Sequence, residues 1–363
     1  MPARAIEPFL AAKIAAGCFP GASYLVASGE RILAEGALGR AVVEPAPIAA
    51  GIDTLYDLAS LTKPLATALL ALLLRRDGLL SLEDPLARHL PAWPAADERD
   101  GITLFDLLVH RSGLPDWRPL YLHADDRAGR VEWLRRVPLA GAPRGVVIYS
   151  CLGYILAGFA LEAAGGATLQ RLFEERVSRP LGIADLLFRP SRALRPRIAA
   201  TEAGNRRERD LAGEAGAGYN GWRSELIWGE VHDTNARSLG GVAGNAGLFG
   251  TARAIHALAV ALLDPARGLL PGEELRLLRH SATQGLAEER SIGFQIAATR
   301  GSSAGSDLSP ASFGHTGFTG TSLWIDPAAG RIYILLTNRV HPQYRPIDMH
   351  AVRREFHALA ARL

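Results

Sequence analysis

Ser60-Leu61-Thr62-Lys63 is the stretch whose residue types and spacing say most about chemistry. On a helix, residues three apart share a face, so the serine hydroxyl and the lysine amine come within reach of each other. A serine becomes a nucleophile only with a base beside it, and an amine can be that base if desolvation or nearby positive potential lowers its proton affinity. A helix N-terminus supplies some of that potential. The chain has only two lysines, Lys13 and Lys63, although Lys and Arg together number 40. An amine kept where arginine serves elsewhere points to chemistry a guanidinium, which stays protonated, does not perform. Taken alone, the same residues also read as an N-capping serine followed by a surface lysine.

A second polar group, Glu230-Val231-His232-Asp233 with Asn235, is dense, but no further His or carboxylate stands at ligand spacing. It reads as a hydrogen-bonded support for the glycine-rich turn that follows rather than as a metal centre. Gly216 to Gly221 matches G-x-G-x-x-G by letter, yet no strand precedes it and no Lys-Ser/Thr follows, so it is no nucleotide site. Trp117, Tyr121, Trp222 and Trp228 are expected either to line a cleft or to cover the core, and His110 and Ser112 to be structural.

These residues need a scaffold, and 363 residues supply one large domain or two intimate ones. Apolar residues at 48% and charged residues at 21% exclude disorder and low complexity. A net charge of +3 gives no ground for a nucleic-acid partner. The longest apolar run, Leu65 to Leu74, is about half of what a membrane span needs, so no membrane partner is expected. Met1 leads straight into an amphipathic stretch, Ala5 to Ala16, with no leader pattern, which points to the cytoplasm. Cys18 and Cys151 are expected as free thiols.

Alternating patterns predict a hairpin, Ala22 to Ala27 and Arg31 to Ala37, turning at Ser28-Gly29-Glu30. Helical spacing runs from Ser60 to a stop at Gly78, with Pro64 in the first turns. Further helices are predicted over Leu104 to Val109, Leu152 to Ala164, Leu169 to Val177, Ala252 to Leu263 and Glu273 to Arg279. Strands are predicted over Ile292 to Ala297, Ser322 to Asp326 and Ile332 to Asn338, then a closing helix from Asp348 to Leu363. Arg189 to Arg209, rich in Arg and Pro, reads as a solvated surface loop. The fold class is α/β of the α+β kind: an antiparallel sheet from both termini (1–64 plus 290–363) flanked by helices, with an inserted helical region (65–289).

S-x-x-K is also the nucleophile motif of penicillin-binding proteins and serine β-lactamases. Here it stands in DLASLTKPLATALLALLLRRDGLLSLEDPLARHLP, followed by ITLFDLLVHRSGLP (102–115), YSCLGYILAGFALEAAGG (149–166), RPLGIADLLF (179–188), GGVAGNAGLFGTA (240–252) and FGHTGFTGTSLWIDP (313–327). These ordered segments resemble the class C β-lactamase-like serine hydrolases, a family that includes D-Ala-D-Ala carboxypeptidases, D-aminopeptidases and carboxylesterases. The resemblance runs from about Phe19 to Asn338. It implies the β-lactamase/penicillin-binding-protein fold, Ser60 as the acylated nucleophile and Lys63 as its proton-transfer partner. By the same resemblance Tyr149 would shuttle a proton to the leaving group, with the choice of base between Lys63 and Tyr149 left open.

His315-Thr316-Gly317 matches the family's Lys-Thr-Gly strand with His for Lys. His315 would donate toward a substrate carboxylate or the Tyr149 oxygen with a partial charge, and Thr316 and Gly317 would border the substrate. The oxyanion hole would be the N–H groups of Ser60 and Phe318. Cys151 departs from the family's Tyr-x-Asn element, whose amide binds the substrate's acylamino group. A thiol lacks the amide's paired donor and acceptor, which favours esters over β-lactams and peptides. The resemblance thus implies a cofactor-free and metal-free serine hydrolase of small ester or amide substrates, most of all a carboxylesterase. A D-Ala-D-Ala carboxypeptidase or class C-like β-lactamase is the alternative, and a non-catalytic ligand-binding relic is the competing class.

Overall fold

The computed structural model describes residues 3–93 and 97–363, so Met1, where the leader argument begins, lies outside the described residues. After a helix at Ala3–Ala15 come β1 (Gly21–Ser28) and β2 (Arg31–Val42), joined as a hairpin in which Gly29 takes a φ of 55°. β3 (Ile48–Ala49) and β4 (Tyr56–Asp57) are short. Helices dominate the middle of the chain, which also carries β5 (Leu186–Phe188) and β6 (Leu248–Gly250). The C-terminal part adds β7 (Gln295–Ile296), β8 (Phe313–Thr316), β9 (Ser322–Asp326) and β10 (Arg331–Thr337), then a helix at Met349–Ala360.

Both termini build one seven-stranded antiparallel sheet in the order β3-β2-β1-β10-β9-β8-β7. Its two faces follow from the period of two along each strand. Ile332, Ile334 and Leu336 of β10, with Leu323 and Ile325 of β9, join the core shared with the inserted helices. Tyr333, Leu335 and Trp324 face the other way, against Ile6, Phe9, Leu10 and Phe356 of the two terminal helices. Burial on both faces explains why these strands read as near-continuous apolar runs.

The inserted region centres on the helix Cys151–Gly165, apolar around its whole circumference because other elements surround it. The inserted region is not all helical: its β5 and β6 join β4, from before the insertion, in a second, three-stranded sheet. Strands of two or three residues are too short to show a period, so the sequence pattern does not reveal them. Of the expected strand Ile292 to Ala297, only Gln295–Ile296 pairs. Part of the Arg189 to Arg209 stretch is also not a solvated loop. Ile198, Ala199, Ala200, Thr201 and Glu202 are buried, with Leu55 and Ile198 bridging in parallel and Ala200 N–H donating to the Ala41 carbonyl. Among the described residues, no single helix is long and apolar enough to cross a membrane.

Candidate active site

Ser60 lies between the two sheets, at the start of the predicted helix, in a tight turn over Ala59–Leu61. A widened π-type turn, Lys63–Ala68, follows, then regular helix at Leu69–Arg76. Ala59, just before the serine, has a φ of 47°, a left-handed conformation that costs a Cβ-bearing residue energy. Several bonds hold it there. The Asp57 carboxylate accepts the Ala59 N–H at 2.8 Å and the His232 N–H at 2.7 Å. Thr319 donates its hydroxyl to the Asp57 carbonyl and Thr321 donates to the Leu58 carbonyl.

The i, i+3 spacing brings the expected pair together: Lys63 Nζ donates to Ser60 Oγ at 2.9 Å. The other two protons of the ammonium go to the Asn245 carbonyl at 3.2 Å and Cys151 Sγ at 3.4 Å. Lys63 is fully buried. Burial disfavours its charge, but Cys151 and Tyr149, each an anion once it gives up its proton, more than offset this and lift Lys63 above the ordinary lysine value. The expected lowering does not occur, because a buried ammonium with acidic neighbours and three acceptors is stabilised, not expelled.

Tyr149 precedes the helix that Ser150 caps, where Ser150 Oγ accepts the Gly153 N–H at 3.0 Å. Its ring centroid is 4.9 Å from Lys63 Nζ, and Tyr149 lines the cleft with Ser60 while Lys63 lies buried behind them. Burial pushes the phenol up while Lys63 opposes, and the Ser60 hydroxyl also favours the ionised form. Lys63 and Tyr149 therefore titrate as one coupled pair. Cys151 begins the helix with a thiol raised by burial, and its sulfur contacts Lys63. Both cysteines are free and partly buried.

His315, Thr316 and Gly317 run along β8 and onto the turn beyond it, all three lining the cleft with Phe318. His315 is buried and neutral: burial, then Arg290 and Lys63, hold it well below the ordinary imidazole range. Its Nδ1 lies 2.9 Å from the Thr316 carbonyl, which only accepts, so Nδ1 carries the proton and Nε2 is left as an acceptor. The expected partial charge and donor role are thus corrected to a neutral imidazole that accepts. Gly317 has a packing reason to be glycine: a Cβ there would meet Thr321 Oγ1 at 2.1 Å and the Leu58 carbonyl at 2.5 Å. That close approach seats Gly317 directly against the nucleophile turn.

The cleft encloses about 400 Å³ and is also bordered by Glu288, Arg290, Arg339, Asp348 and Arg353. Sequence reading singled out none of these. Arg290 is buried, pairs through Nε with Glu288 at 2.6 Å, and its guanidinium carbon lies 5.2 Å from the Tyr149 ring centroid. Arg353, held down to about 9 by burial, donates to the Gly317 and Thr321 carbonyls at 3.0 Å. In the sequence Arg290 and Arg353 stand among other polar and charged residues, Glu289 beside Arg290 and Arg354 beside Arg353, and nothing in residue type marks them. His110, expected to be structural, packs its ring 4.6 Å from that of Tyr149, and its Nδ1 accepts the Ser150 N–H.

The Glu230 to Asn235 group does support the turn after it. Asp233 caps the helix Thr234–Ser238 and accepts from Asn245 Nδ2 at 3.2 Å, and Asn245 is the residue whose carbonyl holds Lys63. His232 pairs with buried Glu202 at 2.9 Å, while Glu230 is largely exposed. Among the described residues, no three His, Cys, Asp or Glu side chains converge to hold a metal. Tyr121 packs with Tyr219 and Trp222, Trp228 caps the Ile198 carbonyl, and neither these nor Trp117 line the cleft around Ser60.

Comparison with known proteins gives the family and the fold. The Beta-lactamase family model matches residues 3–355. A protein of Escherichia coli K12 described as a putative D-alanyl-D-alanine carboxypeptidase is 31% identical over 362 residues, covering 90% of this chain and 81% of the relative. Among solved structures, the unliganded simvastatin synthase LovD from Aspergillus terreus superposes with a TM-score of 0.75 at 22% identity, covering 100% of this chain and 98% of that one. EstCE1, a hydrolase with promiscuous acyltransferase activity, gives 0.73 at 21%, covering 98% of both chains. The chain belongs to the Beta-lactamase family and is a serine acyl-hydrolase with the fold of the two solved structures above.

Proposed function

We propose that this hydrolase cleaves small carboxylic esters through an acyl-Ser60 intermediate. The observation that carries the reading is the 2.9 Å hydrogen bond from buried Lys63 to Ser60 Oγ, with the Tyr149 ring beside both. In the first step the Ser60 proton passes to the Lys63–Tyr149 pair as Oγ bonds to the substrate carbonyl carbon. The oxyanion so formed accepts the N–H groups of Ser60 and Phe318, each worth about 3 kcal/mol in the transition state. Tyr149 then returns the proton to the leaving oxygen. Water attacks the acyl-enzyme by the same path in reverse. Because both members of the pair are raised, acylation accelerates as pH climbs through their first shared proton loss.

Esters rank above amides because position 151 offers a thiol, already on Lys63, where an amide would hold a peptide's acylamino group. A second reading, a D-Ala carboxypeptidase, is favoured by one observation: Arg290, Arg339 and Arg353 border the cleft around Thr316, where a terminal carboxylate would find cations.

Intact-protein mass spectrometry separates the readings. The protein is incubated with a fluorophosphonate, a p-nitrophenyl ester, a penicillin and a D-Ala-D-Ala peptide, with Ser60→Ala as control. A fluorophosphonate adduct and ester turnover without a penicilloyl species support the esterase. Release of D-Ala, or a persistent penicilloyl adduct on Ser60, moves the assignment to the peptidase. No adduct of any kind makes the chain a non-catalytic member of its family.

A further inference from the structure

The coupled Lys63–Tyr149 pair has to give up one proton before it can take the one from Ser60, and burial opposes that loss on the tyrosine. A fixed positive charge nearby would ease it. The charged and titratable groups around Tyr149 come from every element packed on it. Lys63 approaches from the widened turn, Cys151 and Tyr154 from its own helix, His110 from the turn after Leu104–Leu108, His315 from β8 with Arg353 behind it, and Arg290 with Glu288 from the segment before β7. Both imidazoles are neutral. His110 Nδ1 accepts a main-chain N–H, His315 Nδ1 donates to a carbonyl, and burial and the adjacent cations disfavour a second proton on either.

Apart from Lys63 itself, that leaves Arg290 as the permanent charge against the ring, 5.2 Å from its centroid. Glu288 neutralises its charge only in part, through one ion pair at 2.6 Å. Glu288 takes only Nε, Nη1 has no hydrogen-bond partner, and the residue is 5% exposed. Burying a guanidinium costs free energy, and the ion pair with Glu288 offsets only part of it. Position 315 is where the family's strand motif carries a lysine, and here it holds no charge.

We infer that Arg290 supplies the fixed positive charge that draws the first proton off the Tyr149–Lys63 pair, filling the electrostatic place that a cation at position 315 would otherwise take. The inference rests on the acyl-Ser60 reading. Arg290 acts on the reaction only through Tyr149 and is a positioning residue. Glu288 tempers it from the solvent side, because its carboxylate offsets part of the guanidinium's field.

The pH profile of kcat/KM for a p-nitrophenyl ester tests this, with fluorophosphonate labelling of Ser60 run on every variant. Arg290→Gln removes the charge, so the rising limb moves to higher pH by about one unit or more, the scale of one charge at this range under an effective dielectric near 20. The height of the plateau is read separately from the limb, because Arg290 also borders the substrate cleft. Arg290→Lys keeps the limb near its wild-type position, and adding His315→Lys to Arg290→Gln brings it back. Glu288→Gln, on a partly exposed side chain and so independent of any folding defect at Arg290, moves the limb the opposite way, to lower pH. A plateau loss with an unmoved limb in Arg290→Gln, or an unmoved limb in Glu288→Gln, overturns the inference while Ser60 labelling leaves the acyl-enzyme reading standing. Absence of Ser60 labelling in the wild-type protein overturns both.

Discussion

Two buried polar clusters meet at the nucleophile turn and are built on opposite terms. One holds Lys63, Tyr149, His110, His315 and Arg290; the other holds Asp57, Glu202, Asn205, Glu208, Arg223, His232 and Thr234. In the second, hydrogen-bonding capacity is spent. Arg223 donates to Asn205 Oδ1 and to the carbonyls of Val231 and His232, His232 sits on Glu202, and Thr234 N–H and hydroxyl both go to Glu208. No buried side-chain atom of those seven residues lacks a partner, whereas His110 Nε2 and Arg290 Nη1 in the first cluster do. A satisfied network fixes geometry, whereas an unpaired buried polar group carries a free-energy cost. Asp57 joins the two: one oxygen holds the residue before Ser60 and the other holds His232. The second cluster thus supports the turn on which the first one works.

If that division is right, substitutions in the two clusters separate activity from stability. Ser60→Ala is the largest expected effect: ester turnover falls roughly 10⁴-fold or more, with the urea midpoint essentially unchanged. Lys63→Arg comes next, at about 10²-fold or more, since a guanidinium keeps its proton and no longer relays one. Steady-state kinetics and urea melts on the same samples check both. Lys63→Arg retaining more than half of wild-type turnover would remove the amine from the proton path.

Glu202→Ala is expected to do the reverse. Leaving buried His232 without its carboxylate costs about 3 kcal/mol or more of stability, while kcat per folded molecule changes only a few-fold. Equilibrium urea unfolding reads the first and active-site titration with fluorophosphonate the second. A collapse of kcat with stability intact would place this cluster in the chemistry and erase the distinction.

The split also explains what the sequence could show. The Ser60–Lys63 relation is local: the i, i+3 spacing offers the pair, although alone it also fits an N-capping serine with a surface lysine, and the wider resemblance decides between them. β9 and β10 were legible as strands, with alternate residues falling on opposite faces of the sheet. What closes the site is not local. The Asn245 carbonyl reaches Lys63 across 182 residues, and a main-chain acceptor leaves no mark in residue type. Arg290 reads as one more charge in an arginine-rich chain until β7 and β8 set it against Tyr149. The supporting cluster was seen only in part: His232 and Asp233 stood out by composition, but Glu202 and Glu208 sat in a stretch whose arginines made it look solvated. Burial of Ile198 to Glu202 is a tertiary fact that overrides the local charge pattern.

Glu208 sharpens the comparison through pH. Burial, reinforced by Asp233, pushes its carboxyl up to about 8 from an ordinary value of 4.5. Between those values the native state holds a proton that the unfolded chain has released. This contribution to stability is therefore full below about pH 4.5 and is lost as pH rises toward about 8, at up to about 1.4 kcal/mol per unit. Glu208→Gln keeps a neutral amide in place of the acid and removes that slope. The urea midpoint of the variant is expected to fall less than wild type between pH 5 and pH 8. Some decline persists, because His232 is also raised above its ordinary 6.5 and its share of stability begins to be lost as pH passes that value. Equal slopes in the two proteins would mean that Glu208 is ionised throughout.

The smallest expected effect lies where the first cluster faces substrate. Cys151 spends its sulfur on Lys63 at 3.4 Å, a weak acceptor for a buried ammonium. In Cys151→Asn, the amide oxygen takes over that contact and the NH₂ is left to hold a substrate's acylamino carbonyl. Penicillin acylation is expected to rise about ten-fold relative to ester turnover, the size of one well-placed hydrogen bond to the substrate. Ester turnover itself changes by less than about three-fold, because Lys63 keeps three acceptors. Competing a penicillin against a chromogenic ester on both proteins gives the ratio directly. If the ratio does not move, selectivity lies with the cations on the far side of the cleft. Arg339 and Arg353 would then be the residues to vary, since they border the substrate without touching the proton relay.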